Sequence, residues 1–525
     1  MKSPDEHPVS GIDDDEIRET AFARLHLGER EVLKRRRAVR VVVGDEEIDL
    51  TTASARRAAC LEELALDRRL SPDVAKDVVP LVRDESGVVR IGDPANAVDW
   101  ALRLARLPDA DRAADRLEAG RLSDDALEAI ARHVARFHER ARGASIEPSS
   151  VEERLLGWIR LRVDSPDARR REPLPEEAAR AEAWQRSFLE RASDRLRQRA
   201  ESGTIRAGHG ELTLDHVFVD DAGRVAILAG LEIGPRARDV DVAADVALFA
   251  TDLAHRGRED LAERFVAEYA RLANDFDLYP LLDFHASLRA SIRAKLDWLA
   301  ADLAVAGSAA ERRYRERARR FLALALAQPR RPILPPVVVA MGGQVASGKS
   351  TVARHVARRI GAPVVGSDPT RDYLIGARLN EELHEARWER SYAPGFGERV
   401  YGEVLRRAAR VLETGRPVVV DGCFRSRDQR AQARALAERF GLPFLFVEAR
   451  VSREVQRARL GERAHRDGVA IDDWVEIADE MRAQWESADD LPSGEHLALD
   501  TSRPLEHNAE AIEARLATWP TGFTG

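Results

Sequence analysis

One stretch constrains this chain more than any other: the apolar run Val337-Val-Val-Ala340, then Gly343-Gln-Val-Ala-Ser-Gly348-Lys349-Ser350, then a helical pattern over 350–360. The loop fits G-x-x-x-x-G-K-[ST] at every fixed position, and its place between a strand and a helix is the context that pattern requires. Glycines at both ends let successive backbone N–H groups turn inward around a phosphate, and the N-terminus of the following helix adds a favourable dipole. Gly343, Gln344, Val345, Ala346, Ser347, Gly348, Lys349, Ser350 and Thr351 are therefore the candidate nucleotide-binding residues. Lys349 is the point charge for the β/γ oxygens and the Ser350 hydroxyl a ligand for Mg²⁺, so a nucleotide with Mg²⁺ is the implied occupant.

Upstream, Gln328-Pro-Arg-Arg-Pro-Ile-Leu-Pro-Pro336 places four prolines in nine residues. Proline cannot sustain a helix and pushes its predecessor extended, so 329–336 reads as a linker. Beyond it β-runs and helices alternate: Val337 to Met341, helix 350–360, Val364-Val365, helices to about 414, Pro417 to Val420, helix 427–440, Phe444 to Val447 and helix 452–464. That alternation predicts an α/β domain over 337–525, a parallel sheet covered by helices. Val418-Val419-Val420-Asp421 is a buried-type strand ending in a carboxylate, which makes Asp421 the second candidate Mg²⁺ ligand. Asp368 follows the second strand, where it can accept the proton of an acceptor hydroxyl, and Arg371 one turn on can position substrate or phosphate. Among Arg453, Arg457, Arg459 and Arg463, the last two are the preferred candidates for neutralising charge in phosphoryl transfer.

Ahead of the linker, residues 1–15 are acidic and proline-containing and read as a flexible leader. Val39 to Val43 and Glu47 to Leu50 predict a hairpin about Gly44-Asp45, Ser54 to Leu70 a helix, and Val78 to Val82 and Val88 to Ile91 further strands. Most of 96–200 reads as helix, Gly203 to Leu231 holds two β-like runs, and 240–328 returns to helix. A length of 525 residues suggests about three domains. Two cysteines, Cys60 and Cys423, exclude a disulfide scaffold. No apolar run reaches the ~20 residues that span a bilayer, and no secretory signal is visible, so a cytoplasmic protein without membrane contact is expected. The net charge of −8 argues against nucleic acid as a partner. Only five of the 83 basic residues are lysine: Lys2, Lys34, Lys76, Lys295 and Lys349.

The Gly343–Ser350 loop, Ser367-Asp368-x-x-Arg371, Val420-Asp421 followed by Arg430, and the arginine-bearing helix together resemble the small P-loop kinases that phosphorylate metabolites. Gluconate, shikimate and chloramphenicol kinases are examples, as is the kinase half of phage polynucleotide kinases. The resemblance covers about 337–520 and implies transfer of the ATP γ-phosphate to a hydroxyl; it leaves the acceptor, a small molecule, unspecified.

Residues 16–328 resemble the aminoglycoside phosphotransferase-like branch of the protein-kinase fold, an α+β architecture, in a bacterial family that fuses it to a P-loop kinase. The pieces are Lys34 after Val32-Leu33, Glu63 on a helix, the connecting stretch Val98 to Arg103, Phe137-His138, and His209-Gly210-Glu211-Leu212. The resemblance makes Lys34 the phosphate-orienting lysine and Glu63 its partner. It also exposes a defect. Glu211 replaces the catalytic Asp of H-G-D-L-H-x-x-N, His216 replaces its metal-binding Asn, and Ala229 stands where the next metal-binding Asp belongs. Alanine cannot coordinate Mg²⁺, so a pseudo-phosphotransferase for binding or regulation is expected. A replacement metal site from Glu211, Asp215 and Glu232 is the alternative. For the whole chain, a polynucleotide 5′-kinase and a nucleotide-binding regulator with little transfer activity stand beside the small-molecule kinase.

Overall fold

The computed structural model describes residues 16–20, 22–44, 46–85, 87–143, 146–168, 173–229, 239–330, 333–376, 395–467 and 471–519. The acidic leader lies outside them. Contacts divide the chain into two units, Met1–Glu259 with Leu281–Pro329, and Asp260–Pro280 with Arg330–Gly525.

The first unit is built on an antiparallel sheet of β1 (Glu16–Glu19), β2 (Ala23–Leu27), β3 (Glu31–Arg36), β6 (Ala75–Arg83), β7 (Val89–Ile91) and β8 (Asp99–Ala105), in the order β1-β2-β3-β8-β6-β7. The hairpin β4 (Arg40–Val43) and β5 (Glu46–Asp49) turns at Gly44, whose φ of +67° suits glycine. It pairs with the short β9 (Val163–Asp164). The helix Ala53–Leu70 starts where the Thr52 hydroxyl accepts from the Ala55 N–H. The stretch 98–103, expected as a connection within a mostly helical region, is instead the strand β8 between β3 and β6. Its polar residues hide the strand signal: Asp99 is buried because Arg35 and Arg56 donate to it at 2.5 and 2.7 Å. Short pairs follow, β10 (Ile205–Ala207) with β13 (Asp239–Asp241) and β11 (Val217–Val219) with β12 (Val225–Ile227). The helices Glu176–Glu201 and Tyr279–Leu303 bury Leu189, Leu196, Phe284, Leu288 and Ile292 against Val39 and Val41.

The second unit holds five parallel strands: β14 (Val338–Gly343), β15 (Val364–Gly366), β16 (Val418–Asp421), β17 (Phe444–Arg450) and β18 (His496–Asp500), in the order β15-β16-β14-β17-β18. All six residues of β14 are buried, as a central parallel strand requires. The helices Lys349–Ile360 and Leu505–Glu513 cover one face, packing Val352, Val356, Ile360 and Ile512 on Val339, Val419 and Leu445. β18, read from the sequence as neither strand nor helix, is only five residues, His-Leu-Ala-Leu-Asp, too short a run to stand out as a strand.

The segment Asp260–Pro280, which the sequence gives no reason to separate from its neighbours, belongs by its contacts to this second unit. Half-buried Glu263 accepts from Arg416 at 2.7 Å and Arg330 at 3.1 Å, and Asp277 accepts from Arg406 at 2.8 Å and Arg410 at 3.2 Å. Among the described residues, no helix is long and apolar enough to cross a membrane.

Candidate active site

Strand β14 delivers the loop and the helix Lys349–Ile360 carries it away, so all its groups hang at the carboxyl end of a buried parallel strand, where open α/β sheets place ligands. Two glycines are indispensable. A Cβ on Gly343 would lie 2.6 Å from the Ala449 carbonyl oxygen, and Gly348 caps the helix at φ +84° with no side chain closing its N-terminus. The Thr351 N–H turns back to the Gly348 carbonyl at 3.1 Å, and the N–H groups of Lys349 and Ser350 are left for an anion. Ala346 holds φ +58°, a left-handed conformation that is costly for a residue with a Cβ.

The surrounding cavity, about 630 Å³, is lined by Lys349, Ser350, Thr351, Asp368, Arg459 and Arg463 among others. Lys349 is buried. Burial pulls its ammonium down, but Cys423, Asp421 and Asp368 more than reverse this, so it stays protonated above its ordinary range. The Asp368 side chain is 56% exposed; what desolvation it meets at the cavity wall pushes its carboxyl up, yet Lys349, Arg371 and Arg463 pull it further down, leaving a carboxylate. Arg371 donates to Asp368 at 2.8 Å, and Arg463 stands 3.8 Å from its other oxygen. Asp421 moves the other way: burial, helped by Asp368, raises its carboxyl against the pull of Lys349 and Ser350. Its Oδ1 is buried without a hydrogen-bond partner.

The preferred arginines hold different posts. Arg459 donates to the Thr501 carbonyl at 2.7 Å and to its hydroxyl at 3.3 Å, close to Gly348. Arg463 lies over the Trp474 ring, 4.1 Å from its centroid. Arg453 and Arg457 do not line the cavity. Arg430 is fully buried elsewhere, donating to Phe424, Ser487 and Asp490, where it pins the 487–490 loop.

Sequence reasoning missed what grips the loop. Gln456 donates to the Val345 carbonyl at 2.8 Å and to Gln344 at 3.2 Å, and itself accepts from Arg482. The Thr501 hydroxyl donates to the Ser347 carbonyl. The Gly343 N–H donates to the Cys423 carbonyl at 3.0 Å. Arg503, Leu505 and Asn508 complete the cavity beyond Thr501. None of these positions carries a motif. The stretch 377–394 lies outside the described residues.

In the first unit Lys34 and Glu63 meet at 2.5 Å, and Arg36 donates to the other Glu63 oxygen at 2.6 Å. Lys34 also stands 3.5 Å from the Ala229 carbonyl. Ala229 is buried, and its N–H donates to Asp67 at 2.5 Å. Glu211 is held by Arg293. Asp215 lies 3.2 Å from Arg256, and Glu232, the third member of the alternative metal set, lies outside the described residues. His138 and the N–H groups of His209 and Gly210 all engage buried Asp245.

Burial and the nearby Glu63 push the Asp67 carboxyl up to about 7. An acid whose pKa is higher folded than unfolded stabilises the fold fully below about pH 4 and loses that contribution as pH rises through about 7. Thermal unfolding of Asp67→Asn should therefore show a midpoint above that of the unsubstituted protein at pH 8, with the gain shrinking or vanishing at pH 5; a gain equal at both pH values would contradict this.

Residues 338–487 match the family model described as an AAA domain. This unit carries a P-loop fold, a parallel sheet flanked by helices. Two uncharacterized proteins, of Mycobacterium tuberculosis (strain ATCC 25618 / H37Rv) and Mycobacterium bovis, are each 29% identical over 520 residues, covering 96% of this chain and 96% of their own. The match therefore runs through both units. Solved structures similar over 35% of the chain include a gluconokinase from Sinorhizobium meliloti (22% identity, TM-score 0.24, 91% of that chain) and the Mycobacterium tuberculosis APS kinase in complex with AMPPNP and APS (19%, 0.25, 98%). A tunicamycin resistance protein from Deinococcus radiodurans is similar at 18% identity, TM-score 0.24, over 98% of its chain.

Proposed function

We propose that this chain is an ATP-dependent kinase that transfers the γ-phosphate to a hydroxyl of a small molecule, with the chemistry in the P-loop unit. One observation carries the reading: buried Lys349 and carboxylate Asp368, with Arg371 and Arg463 on the latter, face one cavity beside an uncapped helix N-terminus. Loop and helix N–H groups and Lys349 hold the phosphates. Asp368 accepts the proton of the acceptor hydroxyl while that oxygen bonds to the γ-phosphorus and the bond to the ADP oxygen breaks. Arg371 and Arg463 orient Asp368, and Arg459 and Arg463 supply positive charge where negative charge builds.

The residues suit Mg²⁺. Asp421 Oδ1 is buried and unpartnered beside the Ser350 hydroxyl, a pair of hard oxygen donors of the kind this ion takes together with phosphate oxygens and water. Bound there, it would neutralise phosphate charge. In the first unit, Lys34 and Glu63 are paired but Ala229 offers no carboxylate, which supports a pseudo-phosphotransferase used for binding or regulation. Ala229→Asp should accordingly leave phosphate transfer within about twofold of the unsubstituted protein in a steady-state assay, since one added carboxylate does not restore the missing Asp and Asn positions; a large gain would place chemistry in that unit.

The reading is tested by incubating the full chain with ATP and Mg²⁺ against a broad set of hydroxyl-bearing metabolites. One class should speed ADP formation and be recovered phosphorylated. Tight ATP binding with slow hydrolysis and no phosphorylated compound would favour a nucleotide-binding regulator instead.

A further inference from the structure

The helix Ser367–Leu374, which carries Asp368 and Arg371, is only eight residues long, and its N-cap, Gly366, offers no side chain. A helix this short does not hold itself in water, so its position must come from tertiary anchors. Its buried side supplies one. Thr370, 1% exposed, accepts from Arg407 at 3.0 Å, and Tyr373 lies against the same guanidinium, 4.7 Å from ring centroid to charge. Arg407 comes from the helix Phe396–Leu412 and is itself 2% exposed.

A guanidinium buried this deeply must have its donors met, and the partners that meet them fix where it points. Glu403, one turn back on the same helix, takes the Nε at 2.8 Å. Nη1 is shared between Thr370 and Asn274, whose side-chain oxygen accepts at 2.5 Å. Phe276 lies 5.8 Å from the guanidinium on the same flank. Asn274 also approaches the Pro369 carbonyl through its amide nitrogen, at 3.5 Å. Its φ of +56° is a conformation that asparagine tolerates and most residues do not. Asn274 and Phe276 both belong to the segment Asp260–Pro280, held in this unit by Glu263 and Asp277.

We infer that Asp260–Pro280 is a working part of the P-loop unit, and that Asn274 and Arg407 are positioning residues which set the helix bearing Asp368 and Arg371. The inference rests on the proposed kinase reading only for the role of Asp368. One consequence concerns boundaries: a P-loop unit cut at the proline segment 329–336 lacks the residues that aim its own catalytic carboxylate.

The test uses the full chain with three variants. Asn274→Gly keeps the left-handed backbone and removes the acceptor; Thr370→Val keeps shape and removes the hydroxyl; Asn274→Asp keeps an acceptor oxygen. Hydrogen exchange of amides in 367–374 should quicken by roughly tenfold in the first two, the scale of one lost hydrogen bond to a charged group, while exchange in Lys349–Ile360 stays unchanged. Mg·ATP hydrolysis without added acceptor should fall by a similar factor in kcat, with AMP-PNP affinity within twofold. Asn274→Asp should restore both. Unchanged exchange in 367–374, equal loosening of Lys349–Ile360, parallel loss of AMP-PNP affinity, or failure of Asn274→Asp to rescue would each overturn the inference. If Asp368→Asn left turnover intact while Asn274→Gly still loosened 367–374, the kinase reading would fall and the positioning would stand.

Discussion

Lys349→Ala should lower phosphate transfer by on the order of 10³-fold, the scale of removing a preorganised charge from a phosphoryl-transfer site. The lysine is buried at the first position of the loop helix, and Asp368, Asp421 and Cys423 hold it protonated in that enclosed setting. A cation there costs no reorganisation at the moment charge builds on the phosphate, and water admitted by the alanine is a poor replacement. Lys349→Arg should also fail, because a planar fork does not match a compact point charge in a pocket walled by Gly348 and Thr501. Steady-state turnover of purified variants settles this; near-normal transfer by Lys349→Ala would remove the chemistry from this unit.

Asp368→Asn should lower turnover by roughly 10²–10⁴-fold, the range for loss of a general base. The amide keeps the size of the side chain and can still accept from Arg371, so the helix and the nucleotide pocket should survive. ATP affinity, measured by calorimetry, should stay within about threefold, since the lost interaction belongs to the reacting hydroxyl and not to ground-state nucleotide binding. The loss should persist at every pH above the ordinary carboxylate range, because the surrounding cations already hold Asp368 ionised there. Equal loss of ATP affinity and turnover would mean that Asp368 serves nucleotide binding instead.

The loop and its helix were legible because phosphate binding demands particular residue types at fixed spacing; glycine suits φ +84° at 348, where an added Cβ would meet Arg459 at 3.0 Å and Thr501 at 3.3 Å. Asp368, Arg371 and Asp421 were legible for a related reason, sitting at or just after strand ends. What escaped were contacts between residues far apart in sequence. Gln456 reaches Gln344 and Val345 across more than a hundred residues, and nothing in its neighbourhood announces that. The segment Asp260–Pro280 reads as an ordinary amphipathic helix and loop. Periodicity says that one face is buried but not against which body, and the deciding pairs, Glu263 with Arg416 and Asp277 with Arg406, span about 130 to 150 residues. The strand β8 was lost because buried ion pairs made its core positions look like surface. The scarce lysines were informative in part: Lys34 does meet Glu63, and Lys295 is buried on the Ile159 and Leu161 carbonyls and Glu182, a structural role no pattern signalled.

The central claim is that phosphate leaves ATP in the P-loop unit. Transfer of labelled γ-phosphate to the acceptor found in the metabolite screen should be followed in three full-length proteins: unsubstituted, Lys349→Ala and Lys34→Met. Arg36 still holds Glu63 in the last of these, so its fold should persist. Labelled product from the first and third but not from Lys349→Ala is the expected result. Product from Lys349→Ala with none from Lys34→Met would contradict it.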